Sequence, residues 1–447
     1  MPMFEYIKLK RFKSFGDVEF NLLDKKGEPK NMVLIYGENG AGKSNLASAL
    51  LLLSETLRTM DVRDFIESML IRQPDAMQDE DFSRYLRMRY KDLETLIKES
   101  KMVSSDSPMY IEFGFKLKEK SGCYILETND SQLIHERLEY KLVKNRGVYF
   151  DITPDTTTIS TKIFQDRKSY NEIKNAADKF WGKHSLLSII MHESDDKADN
   201  YIKKQLSDNF DTVLEFFSRI SGKIKFGSSQ EHSFIGLPHA IFGEFDEGVI
   251  PKTDEDLLNK TELMLNIFFK SIYRDVEKLY YKRSYKENSI RYQLMQTKML
   301  AGKSRDIEFS MESTGTQSLL QLLPFMLVVV HGSTAIIDEF DTGVHDLLVQ
   351  KLVRSLYNNL QGQLILTTHN TLLMESGFPK ENIYVISEIE NGEKDIQCIT
   401  HYDQKINAKT NIRKQYLDGT YHGIPDLNDV DFQQLLSTLG IHKYDNK

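Results

Sequence analysis

The run Gly37-Glu38-Asn39-Gly40-Ala41-Gly42-Lys43-Ser44 fits the pattern G-x-x-x-x-G-K-[ST] at every position. Glycines at this spacing let the backbone curl so that successive N–H groups face inward, a cradle for phosphate oxygens. Lys43 would supply a cation to β- and γ-phosphates, and the Ser44 hydroxyl is a ligand for Mg²⁺. The flanks favour this reading over an accidental glycine turn. Met32-Val33-Leu34-Ile35-Tyr36 reads as a buried strand entering the loop, and 45–57, opened by Asn45 and rich in Leu and Ala, reads as a helix leaving it. The helix N-terminus adds a favourable partial charge for an anion.

Three more stretches match that chemistry. Thr334-Ala335-Ile336-Ile337-Asp338-Glu339 is an apolar strand ending in two acids. Asp338 is placed to hold Mg²⁺ at the strand's C-terminal end, and Glu339 to polarise an attacking water. Leu364-Ile365-Leu366-Thr367-Thr368-His369 is a second apolar strand whose terminal His could bond a γ-phosphate or the lytic water, although a lone His is more often structural. Ser313-Thr314-Gly315-Thr316-Gln317 opens a helix over 318–323; its small hydroxyl residues read either as a simple N-cap or as a second phosphate-binding edge, which would make the site composite across two subunits.

These motifs need a scaffold, and the rest of the chain indicates which. At 447 residues, 40% hydrophobic and 28% charged, the composition is globular and excludes wholesale disorder. The balance of 58 basic against 66 acidic residues, net charge −8, argues against a strongly basic nucleic-acid coat. Cys123 and Cys398 lie too far apart in sequence for a disulfide framework or a Cys-based zinc site, which points to a reducing, cytoplasmic setting. The start MPMFEYIKLKRF has no apolar signal core, and the longest apolar stretch, 319–330, contains Gln321 and Pro324 and is short for a membrane span. Strands are expected at 6–12 and 17–22, and charged helices over 60–105. An antiparallel meander is expected from 110–117, 123–127, 133–141 and 148–152. Residues 160–286 read as mostly helical, best over 263–280, where Leu265, Phe268, Ile272, Val276 and Leu279 recur at helical spacing behind a Thr253/Asp256 capping box. From Ser310 onward, helix and strand alternate as in a parallel sheet.

Taken together these residues resemble the ABC-type ATPase heads of the SMC/RecF/OLD group, and more closely the stand-alone ATP-binding proteins of bacterial abortive-infection and anti-phage operons. Leu9-Lys10-Arg11-Phe12-Lys13-Ser14-Phe15 is similar to the group's opening strand motif, with Lys13 among the residues the resemblance places at the nucleotide. Residues 37–44 correspond to Walker A, Ser313 to Gln317 to the ABC signature, Asp338 and Glu339 to Walker B, Asp341-Thr342-Gly343-Val344-His345 to the D-loop and His369 to the switch His. Ile412-Arg413-Lys414-Gln415-Tyr416-Leu417-Asp418-Gly419 and Gly423-Ile424-Pro425 also look typical of the subgroup. No Gln is assignable to a Q-loop, and no Toprim nuclease is expected after His369. The resemblance implies an α/β head with a parallel sheet, an antiparallel meander and a helical insertion, divided as 1–155, 156–286, 287–394 and a tail 395–447. It also implies ATP and Mg²⁺ as cofactors, homodimers or larger homo-oligomers with two ATP molecules sandwiched between heads, and a separate effector such as a nuclease. PARIS-type systems, in which an ATPase subunit restrains a nuclease, are one match of this kind.

Other readings compete. Arg274, Lys278, Lys282, Arg283, Lys286 and Arg291, interleaved with Tyr280, Tyr281, Tyr285 and Tyr292, could track a nucleic-acid backbone, or form a solvated helix end packed through its tyrosines. This keeps open a RecF-like ATPase of DNA repair or replication. A GTPase is disfavoured because no N-K-x-D follows the phosphate loop. His192-Glu193-Ser194-Asp195-Asp196 reads as a polar loop rather than a metal site.

Overall fold

All five residues of β3 (Met32–Tyr36) are buried, the pattern of a strand covered on both faces. In this computed structural model, which describes residues 1–72, 86, 90–196, 201–226, 230–389, 392–402, 410–424 and 429–440, β3 lies inside a seven-stranded sheet. Beside it run β9 (Ser221–Phe226), β15 (Thr334–Ile337), β16 (Gln363–Thr367) and β17 (Ile383–Glu388), all parallel, in the order β9-β15-β16-β3-β17. Antiparallel β10 (Gln230–Phe234) and β18 (Lys394–Cys398) close the two edges. The C-terminal ends of the parallel strands therefore bring the phosphate loop, Asp338-Glu339 and His369 to one rim.

A second sheet is antiparallel throughout, in the order β2-β1-β4-β5-β6-β7-β8. It comprises β1 (Met3–Phe12), β2 (Phe15–Asn21), β4 (Met109–Leu117), β5 (Lys120–Thr128), β6 (Leu133–Lys141), β7 (Arg146–Ile152) and β8 (Thr157–Ile159). Its apolar face shares one core with the helix Lys43–Thr56 and the helix Asp208–Ser218; the rings of Phe4 and Phe216 lie 4.9 Å apart there. The phosphate loop is thus braced from both sheets.

A third sheet joins β11 (Glu247–Pro251), β13 (Ser289–Leu300) and β12 (Val276–Tyr285), with β14 (Lys303–Glu308) also on β13. The helix Glu255–Ile272 lies along the β12 edge. Asn266 bonds both the N–H and the carbonyl of Leu279, and Glu262 accepts the Tyr281 N–H at 2.7 Å, so side chains satisfy an edge that would otherwise invite another strand.

The expected meander, opening strands and parallel sheet are present. The helical reading of 160–286 is corrected. Helices Arg167–Phe180, Leu186–Asp196, Tyr201–Lys204, Asp208–Ser218 and Glu255–Ile272 occur there, but so do β9, β10, β11 and all of β12. Because β9 pairs with β15, the stretch 156–286 is not an insertion separate from the head. Strand β9 escaped notice because Ser-Gly-Lys-Ile-Lys-Phe is too polar for a central strand. Gly222 is required there: a Cβ would stand 2.4 Å from the Phe234 ring. The helix read over 263–280 ends at Ile272, and Val276 and Leu279 belong to β12. Ile272 and Val276 are four apart, a spacing that suits strand and helix alike, and an irregularity between Val276 and Lys278 brings Leu279, three residues on, to the buried side as well, so the spacing did not discriminate. The capping box is not formed, since Thr253 donates to the Asp254 side chain instead.

The basic-aromatic run is a hairpin rather than a helix end, and it is not uniformly free for a polyanion. Arg283 is bound to Glu255 and Glu262, and the register places Asp306 beside Thr297 and Glu247 beside Gln293. His192 lies on the helix Leu186–Asp196, not in a loop, and bonds Asp64 at 2.6 Å. In 60–105 the helices Thr59–Arg72 and Leu93–Ser100 are seen; 73–85 and 87–89 lie outside the described residues, as does Pro425. Tail residues Ile412, Tyr416 and Tyr421 join the core of the head, and Tyr416 packs 5.6 Å from Tyr36. The helix Thr314–His331 has the length and hydropathy to cross a membrane, with 56% of it buried within the protein.

Candidate functional site

Gly37 follows β3 directly. A Cβ there would approach the Ile386 carbonyl oxygen to 2.8 Å, so the loop passes β17 at a distance only glycine allows. Gly42 sits at φ 110° as the N-cap of Lys43–Thr56, a left-handed conformation that Gly adopts without penalty. Lys43 is buried, and its Nζ donates to the carbonyls of Gly37 and Glu38 at 2.8 Å each. Burial lowers its pKa, opposed by the charges of Asp338, Glu339, Asp341 and Glu38 around it. That electrostatic neighbourhood shows the loop cation and the strand-end acids in one place.

The β1–β2 turn holds the loop from outside. Asn45 donates to Ser14 Oγ at 2.8 Å, and Phe15 and Ser14 crowd Gly42. Lys13, expected at the nucleotide, has burial and the charges of Glu99, Lys91 and Glu55 as its setting; its neighbour Ser14 is the residue against the loop. Lys394 on β18 reaches the loop tip, with Nζ 3.4 Å from the Gly40 carbonyl and 3.2 Å from Glu388.

Asp338 is buried at the end of β15. Its Oδ1 accepts from Thr367 Oγ1 at 2.5 Å, and the same hydroxyl accepts the Glu339 N–H at 2.8 Å. Thr367, the last residue of β16, thereby ties the two acids to the strand that leads to His369. Glu339 has φ 48°, a conformation costly for a non-glycine residue and common where a site dictates the backbone. Its Oε2 meets Lys225 Nζ at 2.9 Å and Thr342 Oγ1 at 3.2 Å. Burial works against ionisation of Glu339, but the hydrogen bond and charge of Lys225, with Thr342 and His369 adding, hold its pKa below the usual range. His369 stands open to solvent at a crowded rim, and crowding together with the Lys43 charge keeps its imidazole pKa below the ordinary value. Its backbone N–H donates to Asp341 Oδ2 at 3.3 Å, while Asp341 Oδ1 is buried without a partner.

Ser313 caps Thr314–His331: its Oγ lies 2.9 Å from Thr316 Oγ1 and accepts the Thr316 N–H at 3.3 Å. Gln317 donates to the Ser310 and Glu312 carbonyls, and Ser313 and Thr314 remain exposed. A Cβ on Gly315 would lie 2.3 Å from the Gly343 carbonyl oxygen, so 313–317 and 341–345 pack backbone on backbone. The hydrogen bonds described for 313–317 run within this helix start and to Tyr273, whose hydroxyl lies 3.3 Å from Thr316 Oγ1.

The donor set fits Mg²⁺. Among the described residues no three His, Cys, Asp or Glu side chains converge on a point. Mg²⁺ is commonly held by one or two protein oxygens and completes its octahedron with phosphates and water. Asp338 acts on Lys43, the residue before Ser44, so the two oxygens expected to hold the ion belong to neighbouring parts of the rim, where the orphaned oxygen of Asp341 adds buried negative charge.

Sequence reasoning missed Lys225, Ser14, Lys394 and the tie made by Thr367. Lys225 was invisible because its segment was read as helix. Ser14 and Lys394 act from neighbouring elements whose approach to the loop no local pattern announces.

The family described as "AAA domain, putative AbiEii toxin, Type IV TA system" matches residues 32–375, more than three quarters of the chain. No curated protein matches it. Among solved structures it is similar to the SMC head domain from Thermotoga maritima, at 14% identity and TM-score 0.37, covering 89% of this chain and 99% of that one. It is also similar to an SmcHead bound to the C-winged helix domain of ScpA, at 14% and 0.44, covering 88% and 97%. A third is the recombination mediator RecF-ATPrS, at 11% and 0.36, covering 88% and 98%. None of these matches singles out the PARIS-type systems.

Proposed function

The chain belongs to that AAA-domain family, and from this premise we propose that it is a Mg²⁺-dependent ATPase whose heads pair around ATP and gate a separate effector, a nuclease or toxin, in anti-phage defence. The observation that carries the ATPase reading is the gathering of Lys43, Asp338, Glu339, Asp341 and His369 on one sheet rim beside a phosphate loop. Residues 37–44 would cradle the phosphates, with Lys43 on the β- and γ-phosphates; Ser44 and Asp338 would hold Mg²⁺, which neutralises charge on the phosphates. Glu339 takes the proton of the attacking water as its oxygen bonds to the γ-phosphorus. The bridging P–O bond breaks and ADP leaves with the electron pair. His369 can hydrogen-bond the γ-phosphate or that water.

Pairing is proposed because Ser313 and Thr314 are exposed at a helix N-terminus, a ready anion site, and because the resemblance of the motifs to ABC-type heads implies ATP sandwiched between two of them. The effector role is supported by the family description, which names a toxin–antitoxin system, and by the abortive-infection resemblance of the motifs. Lys43→Ala should abolish nucleotide binding in calorimetry, because the loop loses its cation. Glu339→Gln keeps shape without the base, so it should accumulate ATP-bound dimers on sizing columns. Binding that survives Lys43→Ala, or the same elution with and without ATP, refutes the respective half of the reading.

A further inference from the structure

Strand β9 brings two contacts to the acids at the end of β15. The Lys225 N–H faces Asp338 Oδ2 at 3.4 Å, and its Nζ lies 2.9 Å from both Glu339 Oε2 and Thr342 Oγ1. Thr342 Oγ1 in turn donates to that same Oε2 at 3.2 Å. One oxygen of the proposed base is therefore already engaged by an ammonium and a hydroxyl. A water that approaches Glu339 through this oxygen competes with both of them for its lone pairs.

We infer that Lys225 is a latch on Glu339, a positioning residue that keeps the carboxylate engaged and slows hydrolysis until the ion pair opens. The inference rests on the reading of Glu339 as the group that takes the proton of water. The latch is light. Both side chains are about one-third exposed, at 28% and 36%, and ion pairs that open to solvent hold only weakly. Lys225 is also the penultimate residue of β9, where its side chain can swing outward without unpairing the strand. The effect of removing it is therefore a modest acceleration and not a switch between active and dead. Thr342 is the second, weaker half of the latch.

The test uses steady-state ATP hydrolysis by the full chain, with nucleotide affinity measured separately and the lifetime of the ATP-loaded dimer followed by sizing. Lys225→Met should raise kcat by about twofold to fivefold, the scale of a surface ion pair acting on a barrier, with KM within about twofold and a correspondingly shorter dimer lifetime. Lys225→Arg, which keeps the pair, should stay at the wild-type rate. Lys225→Gln guards against a folding defect of the Met variant, and Thr342→Val, on a different segment, should give a smaller acceleration. In the Glu339→Gln background, Lys225→Met should change neither affinity nor dimer lifetime. A lower or unchanged kcat in Lys225→Met and Lys225→Gln, or an Arg variant as fast as the Met variant, overturns the latch while leaving Glu339 as the base. Wild-type hydrolysis by Glu339→Gln overturns the proposed function itself, whatever the Lys225 variants do.

Discussion

The acids of the two sheets show how differently the two halves of this molecule treat charge. In the antiparallel sheet, Glu136 is fully buried and fully served: Oε1 accepts from Tyr124 OH at 2.8 Å, and Oε2 accepts Trp181 Nε1 at 2.8 Å and the Leu186 N–H at 2.7 Å. The carboxyl clamps β6 to the start of the helix Leu186–Asp196. At the rim of the parallel sheet, Asp341 Oδ1 is buried and bonded to nothing, and Glu339 is held at a costly φ. Saturated polar groups stabilise a fold, whereas unsatisfied and strained ones persist where a ligand completes them. The contrast holds for these acids and not for every group, since in the antiparallel sheet Thr128 Oγ1 is also buried without a partner; it fits the proposed placing of the chemistry at the parallel-sheet rim.

The largest effect that separates them should come from Glu136→Ala. It strands a buried hydroxyl, an indole N–H and a backbone N–H, a loss of about 3–5 kcal/mol on the scale of breaking a buried charged contact. Urea denaturation should show the loss, while nucleotide affinity, measured where the variant is still folded, should match wild type. An affinity that falls with stability would mean that the two regions are not separable.

How far each region was legible follows from where its information lies. The phosphate loop, the strand-end acids and His369 are local patterns, since a glycine turn or a strand running into acids carries its chemistry in a few adjacent residues. The Glu136 clamp joins three elements over fifty positions of sequence, and nothing near Glu136 marks it. Strand β9 failed for a related reason. Its place in the sheet comes from β15 beside it and from Phe234 covering Gly222, not from its own residues. Lys225 was lost with it. At 263–280 the local pattern was present but ambiguous, because an irregularity in β12 lets the three-residue step from Val276 to Leu279 keep one buried side, as a helix would.

A subtler difference should appear in the pH dependence of stability. Burial raises the Glu136 pKa to about 7, although its three donors pull the other way. An unfolded Glu titrates near 4.5. Between those values the unfolded chain releases a proton that the folded chain keeps. The part of its contribution that comes from the bound proton is therefore fully present below about pH 4.5, falls as pH rises toward 7 and is gone above it, leaving the hydrogen bonds themselves. Melting curves of wild type and Glu136→Gln from pH 5 to pH 8 isolate this group, since other acids titrate alike in both. The wild type should lose stability relative to the variant across that window. Parallel curves would show that Glu136 stays ionised throughout, with its donors outweighing burial.

The smallest effect on stability should come from Asp341→Asn, and it is the sharpest test of the contrast. The carboxylate stands at the same rim as Asp338 and Glu339, and its buried Oδ1 has no donor, so the folded state gains little from its charge beyond the field of Lys43. Its one bond, from the His369 N–H to Oδ2 at 3.3 Å, can be kept by an amide oxygen. Neutralising it removes repulsion among three acids and attraction to one lysine, two terms that offset, so the melting temperature without nucleotide should move by less than the equivalent of about 1 kcal/mol. ATP turnover should nevertheless fall, and the Mg²⁺ concentration needed for half-maximal turnover should rise, because the rim has lost negative charge where the cation would sit. A variant that unfolds as Glu136→Ala does, with its Mg²⁺ requirement unchanged, would make Asp341 a structural acid like Glu136 and erase the distinction between the two regions.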